Sequence, residues 1–254
     1  MERLLVASEY TEPAFYVDKV NKNLDKELEK HKCGLLLITK DIENSTPIYE
    51  HALACGVPCV VHITVTGLSL TKIEPNTPAW EDVITGDIPR FLEKVGNKEN
   101  VVIRIDPLVP DVTDWRFIEE ILKHAGHYGI TRCRTSIVDY YPFVREKFNK
   151  VGAKTFGDDF IAPLPYRMEM LTRICRMAKK YEIEVESCAE NIEIEELKKV
   201  GCADRKEWQA LGLDAQPGMA RRTTCFCNLN KFDLLNREKE CPFNCLYCYW
   251  GKER

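Results

Sequence analysis

Cys241, Cys245 and Cys248 stand in a C-x3-C-x2-C arrangement within the run Cys241-Pro-Phe-Asn-Cys245-Leu-Tyr-Cys248-Tyr. Three clustered thiolates are one short of the four ligands that close a structural zinc site. A cubane iron–sulfur cluster accepts three cysteines and leaves its fourth iron open to a ligand. The alternatives are a zinc knuckle or an electron-transfer cluster that recruits Cys227 or another thiolate as its fourth ligand.

A second set, Cys188, Cys202, Cys225 and Cys227, has the number of thiolates that completes a cluster or a zinc site. Cys225 and Cys227 sit i, i+2 on an extended segment and so face the same way. An auxiliary 4Fe–4S cluster is the leading expectation for this set, followed by structural zinc and then by free thiols. The remaining five of the 12 cysteines, Cys33, Cys55, Cys59, Cys133 and Cys175, fall in apolar stretches and read as core residues.

The elements that must position these thiols come from an alternation of short apolar, β-branched runs with helical periodicity, the pattern of βα units around a parallel sheet. Strands are predicted at Leu4–Ala7, Leu35–Thr39, Cys59–Thr66, Val101–Asp106, Thr135–Asp139 and Ile183–Cys188. Helices are predicted at Pro13–Lys32, Thr46–Cys55, Trp80–Val95, Trp115–Tyr128, Tyr141–Val151 and Tyr166–Tyr181, with Asp114 capping one of them. A short helix at Ile194–Val200 is predicted to follow. The fold class is therefore α/β, a partial (β/α) TIM-like barrel over residues 1–190. Residues 191–254 form a Cys-rich extension that needs metal to hold it.

Ligands of parallel α/β folds bind at the carboxyl ends of the strands. Arg104 and Asp106 alternate with Ile103 and Ile105 and so point to one face, the lumen of a barrel. There they either grip a substrate anion and a hydroxyl or pair with each other. Glu186 occupies an equivalent strand-end position and is the third candidate catalytic residue. The histidines, His31, His51, His62, His124 and His127, form no ligand-like constellation along the chain.

With 254 residues, 44% apolar and 30% charged, the chain reads as one globular unit of ordinary composition. A net charge of -4 argues against a protein built to coat nucleic acid. No secretion signal and no apolar run of roughly 20 residues is visible, so the expectation is a cytoplasmic protein without a membrane partner.

The terminal motif resembles that of the radical SAM superfamily, and Cys-Pro-x-x-Cys-x-Tyr-Cys-Tyr is similar to the cluster loop of spore photoproduct lyase. In most of that superfamily the loop follows the first barrel strand. A circular permutation reconciles the two positions, with Lys231–Leu235 as the strand that precedes the loop. The whole chain also resembles the DUF1848 family, on Glu12-Pro-Ala-Phe-Tyr16, Thr39-Lys40, Thr66-Gly67, Ile73-Glu-Pro-Asn76, Arg104-Ile-Asp-Pro107, Cys188-Ala-Glu190, Gly201-Cys202, Cys225-Phe-Cys227 and the terminal motif. That family usually carries Ser-Arg-Arg-Thr-Asp where this chain has Ser8-Glu9-Tyr10-Thr11-Glu12.

These resemblances imply a 4Fe–4S cluster that binds S-adenosylmethionine and cleaves it reductively, with electrons from a flavodoxin or ferredoxin. The substrate is a nucleic-acid base or lesion, or a small molecule. Glu9, Tyr10, Lys40, Thr66 and Tyr247 are the candidates for holding S-adenosylmethionine beside the cluster. The alternative is a noncatalytic iron–sulfur or zinc-stabilised protein for binding or electron transfer.

Overall fold

A computed structural model describes residues 2–214, 231–235 and 241–248. Its eight strands are β1 (Glu2–Ala7), β2 (Lys32–Thr39), β3 (Cys59–Thr64), β4 (Val101–Leu108), β5 (Arg132–Ile137), β6 (Glu184–Cys188), β7 (Leu197–Val200) and β8 (Lys231–Asp233). They form one sheet in the order β7-β6-β5-β4-β3-β2-β1-β8, and every neighbouring pair is parallel. From β1 to β7 strands adjacent in the chain are adjacent in space. Right-handed crossovers of constant direction then lay the connecting helices on one face.

Those helices are α1 (Val17–Leu28), α2 (Ile42–Ala54), α3 (Trp80–Asp82), α4 (Ile88–Leu92), α5 (Trp115–His127), α6 (Pro142–Val151) and α7 (Leu164–Lys179), with a π-helical turn, Val83–Asp87, joining α3 to α4. Asp114 caps α5 as predicted, accepting from the Arg116 N–H at 2.9 Å. Alternation along each strand divides the sheet in two. Leu5, Leu35, Leu37, Val61, Ile63, Ile103, Ile105, Cys133 and Val185 pack with the helices in the main core.

The residues of opposite phase face a short helix from the tail, α8 (Arg205–Ala210), which follows an Asp204/Glu207 capping box. Leu4, Val6, Leu36 and Val60 bury Trp208, Leu211 and Leu213 at the amino-edge half of this face. Gly34 makes the close approach possible, since a Cβ there would stand 2.7 Å from that of Leu211.

Above this apolar patch lies a buried charged layer. Arg132 donates to both oxygens of Glu186 at 3.0 Å and to Glu207 at 2.6 Å. Arg134 donates to Glu186 at 2.6 Å, to Glu207 at 3.0 Å, and to the carbonyls of Gly201 and Cys202 at 2.6 and 3.0 Å. Burial works to raise the pKa of Glu186, but Arg134 and Arg132 outweigh it and hold the carboxyl at about 2. Burial also lowers His62 to about 4, so its ring is neutral. Arg104 can only donate, so Nδ1 of His62, 3.3 Å from the guanidinium, accepts; Nε2–H then faces Glu207 at 3.4 Å.

All six predicted strands are present, and within the strand expected at Lys231–Leu235 before the cysteine loop, Lys231–Asp233 pairs with β1. Three expectations are corrected. The segment predicted as a helix at Ile194–Val200 contains β7 instead, because pairing with β6 satisfies its backbone and outweighs the helical spacing of Ile194, Leu197 and Val200. β5 begins at Arg132 rather than Thr135, since Glu186 and Glu207 neutralise Arg132 and Arg134 and let the strand start on two buried charges. Cys55 is exposed rather than in the core, because it terminates α2 just before Gly56 turns the chain at φ +73°. No helix among the described residues is long and apolar enough to cross a membrane.

Glu186→Gln leaves Arg134 and Arg132 under-neutralised and is expected to cost about 3–5 kcal/mol in urea unfolding at pH 7. Because the folded pKa of Glu186 lies below its unfolded value near 4.5, its stabilisation is complete above that value and is lost as pH falls toward about 2. The variant should lack the part of the acid-induced stability loss that falls in this window. Equal stability of the two proteins at pH 7 would contradict the assignment.

Candidate metal centre

Parallel strands all end at the same edge of the sheet, and the cysteine loop is packed there. The Leu246 N–H donates to the Ile73 carbonyl at 2.9 Å, and the Asn76 amide donates to the Pro242 carbonyl at 2.8 Å. Phe243 meets Phe15 edge-on at 5.0 Å. Within the loop, the Asn244 N–H donates to Cys241 and the Cys248 N–H to Cys245, folding the three cysteines into consecutive turns. Asn244 takes φ 52°, a left-handed conformation that asparagine tolerates. Cys245 is buried, and Cys241 and Cys248 are half-buried.

Cys241 and Cys248 both act on the ionisation of Cys245, and Cys248 on that of Cys241, which marks them as one group. Burial, then Glu74 and the other two cysteines, push Cys245 up to about 12 against the pull of Lys40. Burial likewise raises Cys241, opposed by the backbone N–H groups of Glu12 and Phe243 that face its sulfur. A metal that binds such thiols displaces their protons. Three cysteines on consecutive turns of one loop, with a cation and backbone donors beside them, are the type and number of ligands that a three-cysteine cluster uses.

Glu74 organises the wall behind the loop. Its Oε1 accepts from Thr66 at 2.7 Å, from Lys40 at 3.1 Å and from the Tyr247 hydroxyl, and Oε2 accepts from Thr77 at 3.3 Å. The Lys40 ammonium also lies 5.6 Å over the Tyr247 ring. Burial opposes charge on Lys40, but Glu74 and Cys245 outweigh it and raise its pKa. Three residues nominated from sequence, Lys40, Thr66 and Tyr247, thus converge on one carboxylate that was not nominated. Its signal was the Ile73-Glu-Pro-Asn76 run.

Glu12 is a second residue that sequence reasoning missed. It accepts from the Lys40 N–H at 2.9 Å and from the Thr39 hydroxyl, and burial pushes it up to about 7.

Cys188 and Cys202 form a second focus at the same edge, their sulfurs 3.2 Å apart. Arg104 feels both thiols as well as Asp106, to which it is paired. Asp106 also accepts from Ser136, and it feels Lys40, which links the two foci electrostatically. Burial and then Cys202 raise Glu9, which pairs with Lys231. The Tyr10 N–H donates to Ser8 at 3.3 Å, and Ser8 donates to Asp233 at 2.7 Å.

Glu9, Arg104 and Asp106 are therefore brought together with Cys188 and Cys202. Glu186 belongs to the charged layer, where three cations, Arg132, Arg134 and Lys206, occupy its oxygens. Cys225 and Cys227 lie outside the described residues.

If Glu74 holds the loop, Glu74→Ala should release Cys245. Iodoacetamide labelling of Cys245 in metal-free protein, followed by mass spectrometry, is expected to accelerate about tenfold or more, in line with the loss of roughly 1.4 kcal/mol or more of local protection. Tyr247→Phe should give a smaller increase. Unchanged labelling in Glu74→Ala would remove Glu74 from this role.

None of the curated proteins matches the chain. A family described as a domain of unknown function (DUF1848) matches residues 10–250, a span that contains both cysteine foci and nearly the entire sheet. The chain belongs to the DUF1848 family.

Proposed function

We propose that this protein is a radical SAM enzyme in which Cys241, Cys245 and Cys248 hold a 4Fe–4S cluster with one iron open to S-adenosylmethionine. One observation carries the reading: the C-x3-C-x2-C loop lies at the carboxyl edge of a parallel sheet, beyond a strand that pairs beside β1. The singly wound order suits a circularly permuted, partial TIM-like barrel, with residues 191–254 supplying its last strands and its α8 floor. The chemistry such a cluster supplies is one-electron cleavage of the sulfonium bond, releasing methionine and a 5′-deoxyadenosyl radical.

The chain's own residues have separable tasks in this scheme. Lys40 offsets the negative charge of the ligating thiolates, and Glu74 fixes Lys40, Thr66 and Tyr247 against the loop. Arg104, Asp106 and Glu9 form the polar wall on the Cys188–Cys202 side, where a substrate anion or hydroxyl groups would be held. The buried layer beneath and the apolar packing around α8 keep water from the floor of the site. Cys188 and Cys202, with Cys225 and Cys227, are the ligand set for an auxiliary cluster. A flavodoxin or ferredoxin would supply electrons in the cytoplasm, and the substrate would be a nucleic-acid base or a small molecule.

Anaerobically purified protein is expected to contain about eight irons per chain, or about four if the second thiol set does not hold a cluster. With dithionite and S-adenosylmethionine it should form 5′-deoxyadenosine, and Cys245→Ala should form none. An intact, reducible cluster that yields no 5′-deoxyadenosine would overturn the proposal.

A further inference from the structure

A second constellation of metal-ligating side chains lies on the helical layer, away from the cysteine loop. Asp25 comes from α1, His51 from the last turn of α2, and Cys55 is the residue that ends α2. His51 and Cys55 are spaced i, i+4 and so share one face of the helix, which α1 packs against. The His51 Nε2 lies 2.8 Å from Asp25 Oδ1 and 3.8 Å from Cys55 Sγ, and Cys55 Sγ lies 3.9 Å from Asp25 Oδ1. Among the described residues, these are the three donors that all fall within 4.8 Å of one another.

Both α1 and α2 leave the carboxyl edge and run back, so these residues lie toward the amino edge of the sheet. The site is thus independent of the radical SAM reading.

The geometry separates two chemistries. A Cys–His–Asp relay needs the carboxylate on one ring nitrogen and the thiol on the other. Here both the carboxylate and the thiol lie beside Nε2, so the three potential ligand atoms converge around a common point. That convergence is what a metal ion requires. Zinc bonds of about 2.0–2.1 Å to nitrogen and oxygen and about 2.3 Å to sulfur set tetrahedral donors roughly 3.3–3.8 Å apart. The two contacts of Cys55, at 3.8 and 3.9 Å, need to close by about 0.2–0.3 Å, and the His51–Asp25 contact needs to open by about 0.5 Å. The side chains of His51 and Asp25 are 31% and 53% exposed, so an ion can enter and water can complete its shell.

We infer that Asp25, His51 and Cys55 form a mononuclear site for Zn2+ or a cation of the same class, which staples α1 to α2. Imidazole, thiolate and carboxylate together select a borderline cation over Mg2+ or Ca2+, which prefer all-oxygen shells. All three side chains reach solvent, so substitutions there leave the core untouched.

The test is a Zn2+ titration of the full chain against a chromophoric chelator, comparing the protein with His51→Ala, Cys55→Ala and the near-isosteric Asp25→Asn. The other thiols contribute equally to each protein, so the difference isolates this site. The expected result is one equivalent of Zn2+ lost in His51→Ala and in Cys55→Ala, and binding at least tenfold weaker in Asp25→Asn, with iron content unchanged. With Co2+ as probe, the sulfur-to-metal absorption should be reduced in Cys55→Ala. Zn2+ stoichiometry and affinity identical in all four proteins would overturn the site, as would a loss accompanied by an equal loss of iron.

Discussion

The parallel pairing of β8 with β1 is the constraint on which the candidate centre depends. Three residues make the ladder, with Leu4, Leu5 and Val6 opposite Lys231, Phe232 and Asp233. So short a strand needs further anchors, and it has them. Leu234 and Leu235 are buried in the core, the Leu234 N–H continues the ladder onto Val6, and its carbonyl accepts from Asn23 at 2.7 Å. Asp233 accepts from the Ser8 hydroxyl at 2.7 Å and from the Glu9 N–H at 3.3 Å. Direction is what this pairing transmits. A strand parallel to the other seven delivers the chain to the edge where Lys40, Thr66, Glu74 and Asp106 already stand.

The opposite half of the same sheet face answers a different physical problem. Arginines and glutamates removed from water cost several kcal/mol each unless they are paired and their remaining polar groups are satisfied. Arg132, Arg134, Glu186 and Glu207 balance in charge, and Nη1 of Arg134 donates to the carbonyls of Gly201 and Cys202, leaving its Nε as the donor without a partner among the described residues. The layer that fastens α8 to the sheet therefore also sets the backbone at Cys202, one of the two thiols at the second focus. Fold and site share that arginine.

The readable part of this molecule was its periodicity. Alternation of apolar residues located the six long strands, and the same period of two placed Arg104 and Asp106 on one face, where they pair. The terminal motif was legible from its spacing. Glu74 was not, since it lies in the irregular stretch between β3 and α3, where no period marks a buried carboxylate. β7 was misread because four residues carry too little pattern to compete with a helical spacing. Cys55 and His51 were set aside separately, one as a core residue and one as a histidine in no ligand-like constellation. Their meeting with Asp25 is a property of two packed helices and has no signature along the chain.

The central claim is a cluster with an iron open to S-adenosylmethionine, and electron paramagnetic resonance tests it most directly. Dithionite-reduced protein carrying Cys188→Ala and Cys202→Ala, which isolates the terminal centre, should show a reduced 4Fe–4S signal whose g values shift when S-adenosylmethionine is added. A reduced cluster signal that is unchanged by S-adenosylmethionine would contradict the account.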